Sequence, residues 1–403
     1  MKKIILFSLL LSLSFSVNAQ ETEEKNVASF DLDNGLKFSF NEGAYQFNIG
    51  GFIQPTFTSS DYEDVSRTYN AKNAFLTLGG KAVKEKVSFL IQMNYSSSDP
   101  LFDAWIAYHP LPSTTISFGQ KQTFANNREM TFREDRLQFT DRSDLSHSFN
   151  NTGREFGLFI ESKFGTNFGI VPMLALTSGD GRNSFGSDSR DSDLGGLKIG
   201  GRLDFYPLGY FKDGTAHMSA DLSREQTLKF VVGFAASQNE GTSNPVGEGH
   251  GDFMFYDANG FNELPSYSQV FIDLLVKYKG FSLLAEYANA SANGLGENYT
   301  DQAGQDILIP GQISSFLVLG DSYNVQTGYV TKNGYGFDAR FESSSPEFTM
   351  MSESILDDMD SYTFGFSKYF KGNNLKLQAA YTNVSTDSDL QGSMFQLLFQ
   401  IGF

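Results

Sequence analysis

Phe395-Gln396-Leu397-Leu398-Phe399-Gln400-Ile401-Gly402-Phe403 is the stretch whose reading decides the fold class. Phe395, Leu397, Phe399, Ile401 and Phe403 share one face, and Gln396, Leu398, Gln400 and Gly402 share the other. A period of two belongs to a strand, because successive side chains point to opposite sides of a sheet. An aromatic face backed by an amide-bearing face suits a wall with lipid on one side and water on the other.

The same alternation recurs upstream. Tyr45, Phe47, Ile49, Ile53 and Phe57 oppose Gln46, Asn48, Gln54 and Thr56. Val87, Phe89, Ile91, Met93 and Tyr95 oppose Ser88, Gln92, Asn94 and Ser96. Leu197, Ile199, Leu203 and Phe205 oppose Lys198, Arg202 and Asp204. Sixteen such segments are predicted, near 45–58, 68–81, 87–97, 102–109, 114–122, 153–164, 167–178, 194–206, 227–237, 268–279, 280–290, 322–331, 334–343, 361–370, 374–384 and 393–403. Most run about ten residues, the length of a tilted membrane strand. The expected fold is an all-β, transmembrane antiparallel barrel of about 16 strands. An even count puts both chain ends on one side, so connections should alternate long and short. Long ones fall at 123–152, 179–193, 238–267, 291–321 and 344–360, and tight ones at 84–85, 165–167, 279–280, 332–334 and 372–374. The exception is 207–226, a long connection on the short-turn side.

Composition agrees. The chain holds 40 Phe and 18 Tyr, yet its mean hydropathy is −0.28. These rings are spread among small polar residues instead of being gathered into apolar runs. The N-terminus has a basic Lys2-Lys3 start, an apolar run over 4–17 and small residues at Val17 and Ala19. This pattern is that of a cleaved signal peptide over 1–19, implying export. The apolar run is too short to cross about 30 Å of hydrocarbon as a helix. A short acidic periplasmic leader is expected over 20–41, and one barrel domain over 42–403. Removing Lys2 and Lys3 takes 30 basic residues to 28 against 47 acidic ones, a net charge of −19. That excess argues against nucleic acid as a partner. With no cysteine, the chain has neither disulfides nor a thiolate nucleophile.

Catalytic and metal motifs are not found. His109, His147, His217 and His250 lie far apart without metal-ligand spacing. His147 beside Ser143 and Asp144 is the one local cluster with hydrolase chemistry, and loop hydrogen bonding is the preferred reading of it. Asp188, Asp191 and Asp193 form an acidic loop that suits loose Ca²⁺ binding or plain solvation. No catalytic residue, metal site or cofactor is assigned.

The informative segment is 123–152. It carries Arg128, Arg133, Arg136 and Arg142 among Glu129, Glu134, Asp135, Asp141 and Asp144, with Lys121 and Arg154 at its borders. Folded into the lumen, such a loop narrows a pore, and its guanidinium groups offer planar donors to oxyanions. The opposite reading is that these charges pair with one another and fasten the loop. By parity Lys121, Lys163, Lys198, Arg202, Lys277, Arg340 and Lys376 point inward, as do Asp103, Glu155, Glu161, Asp204, Asp273, Glu286 and Asp338. Charge on the lipid face would cost about 2–4 kcal/mol for Lys or Arg at the midplane.

Several motifs carry a family likeness: LFDAWIAY at 101–108, GQKQTFANNREMTF at 119–132, LQFTDRSDL at 137–145, GREFGLFI at 153–160 and ALTSGDGR at 175–182. The chain resembles the phosphate-selective porin O and P family over about 45–403. The resemblance implies a sixteen-stranded homotrimeric porin in outer-membrane lipid, with a constriction loop lined by basic residues. The expected function is passive diffusion of small polar or anionic solutes, phosphate or polyphosphate among them. The candidate constriction and anion-binding residues are Lys121, Arg128, Arg133, Arg136, Arg142, Lys198, Arg202 and Arg340. A general or cation-preferring pore is the alternative; an outer-membrane hydrolase and a surface-binding protein come after it. Phe403 is similar to the terminal aromatic signal of barrel assembly.

Overall fold

A computed structural model describes residues 26–31, 35–62, 65–183, 197–212, 215–249, 251–349, 353–386 and 391–403. The signal-peptide segment 1–19 and Asp188, Asp191 and Asp193 lie outside the described residues.

Two short strands come first, β1 (Val27–Asp31) and β2 (Gly35–Phe40). The barrel follows: β3 (Tyr45–Ser60), β4 (Ser66–Ala82), β5 (Val87–Asn94), β6 (Leu101–Leu111), β7 (Thr114–Gln122), β8 (Arg154–Ser162), β9 (Gly169–Thr177) and β10 (Lys198–Tyr206). It continues with β11 (Lys229–Asn239), β12 (Ser266–Tyr278), β13 (Phe281–Asn293), β14 (Gly320–Val330), β15 (Tyr335–Pro346), β16 (Met359–Lys371), β17 (Leu375–Thr386) and β18 (Gln391–Gly402). Each strand from β3 onward pairs antiparallel with the next. β18 returns to β3 in the register Met394 with Ser60 through Gly402 with Phe52. That pairing closes a barrel of sixteen antiparallel strands and removes the exposed edges an open sheet would leave. Every predicted strand segment is present, with boundaries shifted by a few residues.

The alternation predicted from sequence sets the two faces. Tyr45, Leu197 and Phe399 are exposed on the outer wall, while Gln54, Asn94, Lys198 and Gln400 are buried inside. Among the described residues no helix is long and apolar enough to cross a membrane, which says nothing about crossing by strands.

The β1–β2 hairpin was not legible in the pattern of residues 20–41. It docks because β3 begins below the end of β18. Gly51 and Phe403 exchange backbone hydrogen bonds at 2.9 Å, and β2 takes over the vacated edge with Leu36 opposite Ile49.

Two connections enter the lumen from opposite ends. Segment 123–152 follows β7 and folds inward, with short 3₁₀ turns at Glu129–Thr131 and Glu134–Arg136 and a helical turn at Asp144–Phe149. The connection after β10, on the short-turn side, also folds inward over its described residues 207–212 and 215–228. Phe211 is buried against Phe132 and Leu137 of the outer loop, together with Tyr206, Leu275 and Leu284. The long connection that broke the alternation is therefore a second lumen insert, and the register around it holds.

Candidate functional site

The outer loop is fastened to wall residues around the barrel. Gln54 donates to the Glu134 carbonyl at 3.2 Å, and Gln400 to the Asp135 carbonyl at 3.0 Å. Lys376 donates to the Leu137 carbonyl at 3.0 Å, and Gln378 to that of Gln138 at 2.7 Å. Thr140 donates to Gln396 at 2.8 Å. Glu286 accepts from the Glu129 amide at 2.8 Å and from Asn127 at 3.2 Å. Glu248, from the loop after β11, accepts from three successive amides, Asn151, Thr152 and Gly153, at 2.9–3.0 Å. The amphipathic helical turn puts Leu145 and Phe149 into an apolar cluster with Phe255, Phe271, Ile313 and Leu317.

The tightest fastening is ionic. Arg128 donates through Nε to Asp273 at 2.5 Å and through Nη2 to Asp204 at 2.8 Å. Arg202 donates through Nε to Asp204 at 2.8 Å, pairs with Asp273, and reaches the Asn126 carbonyl at 3.0 Å. Two guanidiniums and two carboxylates thus form a closed, neutral square. Burial opposes the Arg128 charge, but Asp204 and Asp273 outweigh it and hold the guanidinium above its ordinary range. Gly233 supplies the room: a Cβ there would collide with Arg202 and Arg128 Nη2 and with Asp273. Gly328 does the same for Gln138 and Asp338.

The predicted site residues separate into two groups. Arg128, Arg142, Lys198, Arg202 and Arg340 are buried and paired. Arg142 meets Glu134 at 3.0 Å, Lys198 meets Glu155 at 3.2 Å, and Arg340 meets Glu342 at 2.7 Å. Burial pushes the Glu134 carboxyl up, but Arg154 and Arg142 more than reverse this and keep it below its ordinary value. Lys121, Arg133 and Arg136 are more accessible. Arg133 is exposed, with a bidentate pair to Asp135 at 2.9 Å and its guanidinium 6.0 Å from the Phe52 ring. Arg136 is half-buried, and enclosure lowers its pKa.

Lys121 differs from all of these. Its ammonium stands 5.0–5.4 Å from the ring centres of Trp105, Phe124 and Phe159 and donates to Ser117 Oγ at 3.3 Å. Among the described residues no carboxylate lies within 4.0 Å of it. The same holds for Lys163, which sits 3.9 Å from the Tyr210 ring centre, and for Lys212. These three lysines line a cavity of about 430 Å³ between the loop 123–152 and the insert that follows β10. Its wall also includes Phe124, Met173, Tyr210 and Phe211, and its acids are Glu161 and Asp204. His217 projects into it from the insert; enclosure and the nearby Arg136 and Arg128 charges bring its pKa down to about 4. Parity had placed Lys163 inside the barrel. Lys212, Tyr210, Phe211 and His217 had no sequence signal, because nothing in 207–226 announces that it turns inward.

The Ser143, Asp144 and His147 cluster is not a nucleophile with its base. Ser143 Oγ caps the helical turn and donates to Glu129 at 2.6 Å. His147 is exposed and meets Asp141 at 3.1 Å. Burial of the Asp141 carboxyl is outweighed by Lys72 and His147, which hold it below the usual carboxylate range. Among the described residues no group of three acidic or imidazole side chains is arranged to hold a metal.

The anion-selective porin of Comamonas acidovorans superposes with a TM-score of 0.55 at 9% identity, covering 89% of this chain and 100% of the other. The outer membrane channel DcaP of Acinetobacter baumannii gives 0.54 at 13% identity, with coverage of 90% and 98%. This chain has a porin-type barrel fold. The trimer form of OmpT, an outer membrane protein of Vibrio cholerae, is similar at a TM-score of 0.52 and 10% identity, covering 89% and 100%. No protein-family model matches the chain, and no curated protein matches it. At these identities the likeness establishes the fold alone.

Proposed function

We propose that the protein is an outer-membrane channel for passive diffusion of small solutes, with a preference for anions. The observation that carries this reading is the lysine-lined cavity inside a lipid-faced barrel. Lys121, Lys163 and Lys212 keep positive charge facing water beside Arg128 and Arg202, whose charges are neutralised by Asp204 and Asp273. A chain that is net negative overall thus presents locally positive walls. Weak, multi-site attraction of this kind favours entry without trapping the solute.

The motifs at 101–182 that resemble the phosphate-selective porin O and P family lie on β6 to β9 and the loop 123–152, and β7, β9 and that loop contribute residues to the cavity lining. They support placing the chain near that family, with phosphate as one solute to test. The trimeric arrangement follows the same resemblance, and the likeness to a trimeric barrel supports it. A second reading, a general pore, is favoured by the neutral square: Arg128 and Arg202 add no net charge beside Asp204 and Asp273. Purified protein inserted in a planar bilayer tests the channel reading. Stepwise conductance increments are expected, closing in groups of three for a trimer; a barrel that inserts without conductance overturns it.

A further inference from the structure

The cavity between the two inserts has a composition that a site for a hydrated inorganic oxyanion does not need. An oxyanion site uses convergent strong donors, and planar guanidinium forks serve that purpose best. Here the two nearest forks, Arg128 and Arg202, are consumed by Asp204 and Asp273. The cations left are ammonium groups seated against aromatic rings. Lys121 has three donor hydrogens, and Ser117 is its one hydrogen-bond partner among the described residues. The Lys163 ammonium has a ring face and no acceptor among the described residues. Phe124, Met173, Tyr210 and Phe211 supply an apolar wall beside these charges. Glu161 and Asp204 in the same lining oppose a second negative charge.

We propose that this cavity is a binding subsite for organic monoanions with a flat apolar body, of which aromatic carboxylates are the simplest. The carboxylate meets Lys121 and Lys163, and the ring lies against Phe124, Met173 and Phe211. A pocket that is mostly apolar, with a few placed polar groups, is the usual composition of a small-molecule site. A volume of about 430 Å³ admits a one-ring acid together with water. The proposal rests on reading the barrel as an anion-preferring channel and names the solute class for that same site.

The chain's single tryptophan provides a test that does not depend on conduction. Trp105 lies 5.3 Å from Lys121 Nζ. Detergent-solubilised protein is titrated with benzoate and, at a pH where phosphate is a monoanion, with inorganic phosphate, while Trp105 emission is followed. Benzoate is expected to give a saturable change at a concentration at least tenfold below any response to phosphate. Lys121→Met should raise the half-saturation at least tenfold, Lys163→Met should raise it less, and Lys121→Arg should restore most of the binding. Phe124→Ala, which leaves both charges, should weaken benzoate while leaving any phosphate response where it was. Equal responses to the two anions, no saturable response, or unchanged benzoate binding in folded Lys121→Met would each overturn the proposal. The channel reading fails separately, through a reversal potential without anion preference.

Discussion

The outer loop 123–152 and the insert 207–226 both occupy the lumen, yet they are held there by different physics. The outer loop is fastened by charge and by amide hydrogen bonds to polar wall residues: the square of Arg128, Arg202, Asp204 and Asp273, the Glu248 clamp, and Gln54, Gln378 and Gln400. The insert is fastened by apolar packing of Phe211 and by two buried carboxylates that accept backbone amides. Asp221 accepts from Glu225 at 3.0 Å and from Gly280 at 2.7 Å, and Glu225 accepts from Lys212. The contrast shows where unpaired charge survives inside the barrel. Arg128 and Arg142 are used for anchoring, whereas Lys121, Lys163 and Lys212 at the seam between the two inserts have no carboxylate within 4.0 Å among the described residues.

The largest expected effect breaks the first anchor. Arg128→Ala leaves Asp204 and Asp273 short of a buried partner, which typically costs about 3–5 kcal/mol. Denaturant titration in lipid should register a loss of that order. Hydrogen exchange should rise in 123–152 while changing little in 207–226. Asp221→Asn attacks the other anchor. Removing a charged acceptor from the Glu225 and Gly280 amides should cost about 1–3 kcal/mol, and exchange should then rise in 207–226 and not in 123–152. If both variants loosen both segments equally, the two inserts form one cooperative unit and the comparison fails.

A smaller effect comes from His217. Its pKa is lowered to about 4 by enclosure and by Arg136 and Arg128, with Lys277 adding and Asp204 opposing. A histidine with a depressed folded pKa contributes stability that is complete above its unfolded value near 6.5 and is lost as pH falls toward 4. Protection factors in 207–226, corrected for the pH dependence of intrinsic amide exchange, should therefore fall as the pH is lowered from 6.5 to 4 in the native protein. In His217→Gln that pH dependence should flatten, and an unchanged slope would assign the effect to other groups.

Much of this architecture was legible before the structure. Period-two alternation located all sixteen barrel strands, because a wall between lipid and water imposes that pattern on each of them. It also placed Lys198, Arg202 and Asp204 on the inner face. The arginine density of 123–152 correctly drew attention to that loop as the lumen insert. The pairing of those arginines was not legible, since Arg128 and Asp273 lie 145 positions apart and their contact depends on barrel closure. The insert was hidden for a related reason: its anchors are ordinary Phe, Asp and Glu residues whose partners, Leu275 and Gly280, lie on other strands. The β1–β2 hairpin was hidden because its docking edge exists only where β18 stops short of the start of β3.

On the proposed reading, the accessible lysines at the seam give this barrel its ion preference. Reversal potential in a potassium chloride gradient across a planar bilayer measures this directly. The native protein should show a potential on the chloride-preferring side, and the Lys121→Met, Lys163→Met double variant should move it toward zero or beyond. A native potential on the cation side, or a double variant with the same potential as the native protein, would contradict that reading.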